Sequence, residues 1–289
     1  MESQLFTEAI INTLVLSSMY IIVALGFALL VSIVNILNLA HGVIYMLGGY
    51  ICYLFIGALG LNNWLAMVLA IIVLAIIGLF MERYAFRPFT GDFERSLVIA
   101  IAATLIIQTS VNVIAGTKNM AIPTFVEGNL YLGQVTVSWE RLVIFLIGIS
   151  FLLILIWLVN WTKIGRQMRA IAQNITGAKL QGIDINRISA FAVVLGFVFA
   201  AIAGSLMGSY LSLTPYMGDV MLTKVLIIVM VAGFGSIGGI FLTGFILGAL
   251  DAFLPLWISG AGSTGIVIAV IIIILLFRPQ GFFGHELEM

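Results

Sequence analysis

Charge is the scarcest commodity in this 289-residue chain: Lys and Arg number 12, Asp and Glu number 12, and together they make up 8% of it. Soluble domains carry about 25% charged residues. A chain that is 63% hydrophobic has too little polar surface to cover a soluble core. The balance excludes a soluble globular domain, a disordered chain and a nucleic-acid binder with a basic face. There is one cysteine, Cys52, which excludes an intramolecular disulfide framework and a cysteine-based zinc site. The two histidines, His41 and His285, bring no companion metal ligands.

Long uncharged runs fill the space that charge leaves. Residues 9–81 contain no Asp, Glu, Lys or Arg. One helical crossing takes about 20 apolar residues, so this stretch suffices for three. Polar breaks at 35–42 and 60–63 divide it into candidate helices at 10–34, 43–59 and 64–81, followed by 97–115, 142–161 and 188–211. Beyond residue 225 only Asp251 is charged until Phe277. Glycines at 233–239 and Pro255 with Gly260, Gly262 and Gly265 cut that run into segments near 225–232, 240–253 and 266–277. The first is half of a broken helix, or 224–250 is one kinked helix. The fold class expected is an all-α polytopic membrane protein of eight or nine transmembrane segments with broken or re-entrant helices, forming one permease domain over 1–289. A β-barrel would show short alternating strands in place of continuous apolar runs. The absence of Lys or Arg beside Glu2 and Glu8 argues against a secretory signal peptide.

Basic residues concentrate in three places: Arg83, Arg87 and Arg95; Lys163, Arg166, Arg169, Lys179 and Arg187; and Arg278. The positive-inside rule puts these on the cytoplasmic side, with the N-terminus outside and the C-terminus inside. Lys118, Arg141 and Lys224 fall on the other side, with Asp219 and Lys224 flanking an outer loop. The loop at 162–187 is too polar to cross and too periodic for a plain linker. Met168, Ile171, Ile175, Ala178 and Leu180 recur at near-helical spacing, which predicts a short amphipathic helix on the cytoplasmic face. Its apolar side must be covered, either by lipid headgroups or by a soluble partner.

Four motifs together resemble the branched-chain amino acid permeases of ATP-binding cassette importers. They are Asn38-Leu39-Ala40-His41-Gly42 followed by Met46-Leu47-Gly48, Glu82 to Pro88, Gly233-Phe234-Gly235-Ser236-Ile237-Gly238-Gly239, and Arg278-Pro279-Gln280-Gly281. The resemblance runs over essentially the whole chain. It implies that this subunit forms half of a bacterial inner-membrane pathway and that a second homologous permease forms the other half. It also implies two cytoplasmic ATPases, which use ATP and Mg, and a periplasmic or lipid-anchored solute-binding protein. In that scheme Gly165, Arg166, Arg169, Asn174, Gly177, Ala178, Leu180, Gly182 and Ile183 receive the ATPases. The chain has no G-x4-G-K-[ST] loop, so ATP hydrolysis of the Walker type belongs elsewhere. The chain itself would need no cofactor and would not be an enzyme, since no nucleophile–base–orienter set lies in its spans.

Several polar residues are candidates for the solute pathway. Broken backbone at Asn38, His41 and Gly42 and at Gly233, Gly235 and Gly238 can offer helix ends to a zwitterion. The same glycines can also serve close helix packing. His41 could pair with a carboxylate or cap its own break. Thr104, Gln108 and Asn112, spaced by four, make a polar stripe on one helix, either toward a partner helix or toward the pathway. Apolar amino acids are the solutes the resemblance implies, with urea, short amides and aromatic acids as alternatives. A self-contained secondary transporter is the competing class, and it would carry more carboxylates or histidines in mid-membrane.

Overall fold

The computed structural model describes residues 2–34, 36–90, 92–132, 135–233, 235–258, 260–278 and 281–282. Asn35, Phe234, Pro279, Gln280 and His285 lie outside the described residues. Helix α1 (Glu2–Leu29) continues into a π-turn, Leu30–Val34. After an irregular link come α2 (His41–Leu59) and α3 (Asn63–Met81). A wide turn through Glu82 and Pro88 leads to α4 (Phe93–Ala115). Next are β1 (Asn129–Leu132), β2 (Val135–Ser138) and α5 (Trp139–Trp161). Two short helices, α6 (Lys163–Gln173) and α7 (Ile175–Leu180), precede α8 (Ile185–Tyr210). The chain ends with α9 (Met217–Ala232), α10 (Ile237–Phe253) and α11 (Gly260–Phe277).

Among the described residues, seven helical stretches are long and apolar enough to cross a bilayer. The 16-residue α9 and the apolar α11 stand beside them. Most helices begin a few residues earlier than hydropathy suggests because a polar cap sets the start. Asn62 accepts from the Trp64 amide of α3, and Asp92 from the Arg95 amide of α4. Gly60, with φ of 62°, ends α2 in the left-handed conformation.

Three features differ from expectation. The antiparallel β1–β2 ladder, Asn129 opposite Ser138, is a small departure from an all-α chain. It is short and lies between spans, so hydropathy does not register it. The segment at 225–232 is part of a longer helix, because α9 starts at Met217 and takes Lys224 into its interior. Residues 224–250 are also two helices: Thr243 of α10 donates to the Ile228 carbonyl of α9 at 3.2 Å, side by side across the turn at 233–236.

The centre of the bundle is α1, whose most apolar window is 83% buried. Lipid is as apolar as leucine, so membrane helices associate through close packing of small residues. At the α2–α8 contact a Cβ on Gly48 would lie 2.7 Å from the Ala201 Cα. Ser205 fastens the same contact by donating to the Gly48 carbonyl at 3.1 Å. The corresponding window of α4 is only 11% buried, so this span has almost no partner within the chain.

Candidate functional site

The docking end of the molecule is built by two caps in succession. Thr162 accepts the Gly165 amide at 3.0 Å to start α6. Asn174 accepts the Gly177 amide at 2.8 Å, which ends α6 and starts α7. The predicted single amphipathic helix is therefore two helices, split where Asn174 turns. Met168 and Ile171 are buried, and Gly165 presses on the α5 backbone so closely that a Cβ would overlap the Leu158 and Val159 carbonyls. Arg169 donates to the Val159 carbonyl and reaches Asn160 Oδ1 at 3.4 Å. The bundle itself thus covers the apolar side of α6. Arg166 and Gly182 face outward, Ile183 is half-buried, and Ala178 is buried. Leu180 is 85% exposed at the tip of α7, where an apolar side chain has nothing of its own chain to touch.

A cavity lies under α6, bordered by Met168, Arg169, Ser32 and Gly235. Gly233 and Gly235, with φ of 84° and 86°, make the turn from α9 to α10. Gly238 follows in the first turn of α10 with open space around its Cα. The structure therefore brings these three glycines to the α6 end and not to the other break. Nearby, Glu82 is buried and holds Arg87 through two hydrogen bonds of 3.0 and 2.7 Å.

The other break is closed in on itself. Asn38 Oδ1 accepts the Ala40 amide at 3.1 Å, and the His41 amide donates to the Asn38 carbonyl at 3.0 Å. His41 Nε2 lies 3.2 Å from the Val23 carbonyl of α1, so that nitrogen carries the proton. Both residues are fully buried, and Asn38 Nδ2 and His41 Nδ1 lack partners. Gly42 packs on α9, where a Cβ would overlap the Gly218 carbonyl. The stripe on α4 divides. Thr104 bonds its own helix at Ala100, whereas Gln108 reaches across to the Pro215 carbonyl at 3.2 Å and Asp219 Oδ2 at 2.6 Å. Asn112 is half-buried and its side-chain oxygen has no partner.

A further cluster joins residues that the sequence shows only as isolated charges. Lys224 of α9 pairs with Asp251 of α10, and Tyr20 of α1 donates to Asp251 at 2.8 Å while accepting from Lys224 at 2.6 Å. Lys224 lies inside the bundle and does not flank a loop. The one available signal was that two opposite charges, 27 residues apart, stand alone in an apolar region.

A central helix wrapped by other spans, an almost unpartnered span and an outward-facing apolar tip on a capped helix pair define a multi-pass membrane permease. No cluster of three potential metal ligands occurs among the described residues. Residues 9–276 match the family described as branched-chain amino acid transport system permease component, and the chain belongs to that family. It is 29% identical to the high-affinity branched-chain amino acid transport permease LivH of Escherichia coli K12, over 97% of this chain and 96% of that one. With BraD of Pseudomonas aeruginosa the identity is 31% over the same shares. A probable LivH of Methanocaldococcus jannaschii is 26% identical over 95% and 91%. Among solved structures, PsaBC from Streptococcus pneumoniae in complex with a Fab shares the fold, with a TM-score of 0.55, 15% identity and 97% of both chains covered.

Proposed function

We propose that the chain is the permease subunit of an ATP-binding cassette importer that carries branched-chain amino acids across the bacterial inner membrane by alternating access. The observation that carries this reading is the family match over residues 9–276, together with the exposed Leu180 tip on the α6–α7 pair. A second homologous permease completes the pathway, and a periplasmic or lipid-anchored binding protein delivers the solute. Two cytoplasmic ATPases bind at α6 and α7 and use ATP and Mg. The N-terminus is outside and the C-terminus cytoplasmic, as the distribution of Arg and Lys favours.

Movement of the ATPases reaches the spans by short routes. Gly165 and Arg169 fix α6 to the end of α5, and the cavity under α6 separates it from the α9–α10 turn at Gly235. A push on Gly177, Ala178 and Leu180 is thereby passed to α5 and α8. Thr104, Gln108 and Asn112 on the sparsely packed α4 form part of the pathway wall, and polar side chains on such a helix favour water or a second permease over lipid. Replacement of Leu180 by Glu tests the docking role. Leu180 touches nothing that would be disturbed, so membrane level stays unchanged while ATPase co-purification and leucine uptake fall together. Full uptake by Leu180→Glu would refute the assignment.

A further inference from the structure

Between α2 and α4 lies a cavity of about 590 Å³. Its walls are aliphatic, with Leu47, Ile51 and Leu54 on one side and Val111 and Ile114 on the other. Tyr50 also lines it, and this residue is 8% exposed with a hydroxyl that has no partner. On α4 the side-chain oxygen of Asn112, in the same turn as Val111 and Ala115, is buried and lacks a partner too. Met120 closes the cavity, and its backbone pairs with Leu213 beyond the end of α8, so the site lies at the end of the bundle opposite α6.

Buried polar atoms without partners are rare, because each costs free energy that water would otherwise offset. Here the two complement one another: a phenol hydroxyl can donate to a carboxylate, and a carboxamide oxygen can accept from an ammonium. Apolar walls with a few polar groups are the usual make-up of a small-molecule site. A lipid acyl chain would suit the walls and leave both polar atoms unsatisfied. An amino acid with an aliphatic side chain would suit both.

We infer that this cavity is a transit site for the permeated amino acid. Tyr50 takes the carboxylate, Asn112 the ammonium, and the α2–α4 walls the aliphatic side chain. The inference rests on the importer reading above and adds to it where within the chain the solute is held. In the proposed orientation the site lies in the outer half of the membrane, where a delivered solute arrives first.

Gly57 provides the test. It lines the cavity and a Cβ there would meet nothing within 4 Å, so Gly57→Leu fills the space without a clash. Uptake of radiolabelled leucine and valine is measured in cells that lack other branched-chain uptake and express the chain with its native partner subunits. Membrane abundance is read in parallel. Gly57→Leu should lower leucine uptake by about tenfold or more and valine uptake by less, at unchanged abundance. Tyr50→Phe and Asn112→Leu should lower both solutes equally, by about tenfold, since the head group is common to them. Asn112→Asp, which keeps an acceptor for the ammonium, should retain more uptake than Asn112→Leu. Wild-type kinetics for Gly57→Leu, with Tyr50→Phe neutral or stabilising, would show a cavity occupied by lipid and overturn the inference while leaving the importer reading in place. Failure of the unmodified complex to take up either solute would overturn both.

Discussion

Replacing Asp251 by Asn leaves Lys224 as an unpaired cation among α1, α9 and α10. The two side chains are 24% and 20% exposed, so most of each is out of contact with the surroundings. Removing one member of a fully buried pair costs about 3–5 kcal/mol. A lysine or aspartate at mid-helix in a bilayer costs about 2.5–3.5 kcal/mol on insertion scales. Discounting for the exposed fraction gives about 2–3 kcal/mol for Asp251→Asn. Losing both charges in Lys224→Met with Asp251→Leu should cost less than either single change, because no ion is left stranded. The coupling energy from that cycle should be about 2 kcal/mol, read from denaturant or thermal unfolding of the purified protein in detergent. Tyr20→Phe should cost about 1 kcal/mol, the loss of its bond to Asp251. If Asp251→Asn unfolds like the wild type and the cycle gives no coupling, the three helices are not joined through this pair and the argument fails.

Three other outcomes follow from local geometry. Asn174→Ala removes the cap that starts α7 and should destabilise that helix by about 1 kcal/mol, seen as faster amide exchange in α7 with exchange in α8 unchanged. Gly204→Val places methyl groups against the Tyr45 carbonyl and should abolish stable insertion, measured as loss of full-length protein from the membrane fraction. Glu82→Gln weakens the two-bond clamp on Arg87; protease cleavage in the wide turn after α3 should become faster, and the melting temperature of the spans should change little.

The spans were legible because an uninterrupted apolar run has few alternatives. Helices α1 to α5 and α8 sit where hydropathy puts them, apart from the cap-determined starts. The C-terminal third was harder because Lys224 looks like a boundary until Asp251, far along the chain, neutralises it. That pairing is a tertiary fact with no local signature. The split between α6 and α7 turns on Asn174, a residue that reads as ordinary polarity in the loop and becomes a cap only when its side chain meets the Gly177 amide. The polar stripe on α4 was visible as a spacing, but spacing does not say which member crosses to another element. Gln108 does so, and Thr104 bonds its own helix. Tyr50 had no such mark, since its significance depends on a cavity formed with a helix some sixty residues later.

The sparse packing of α4 has a consequence for the life of the subunit in the cell. A span with 11% of its window covered leaves Gln108 and Asn112 poorly sheltered in a newly made, unassembled copy. Membrane proteases that survey for exposed intramembrane polarity would find that helix first, so the half-life of the chain becomes a gauge of stoichiometry. Overproduced alone it is degraded, and supplied with its neighbours it persists.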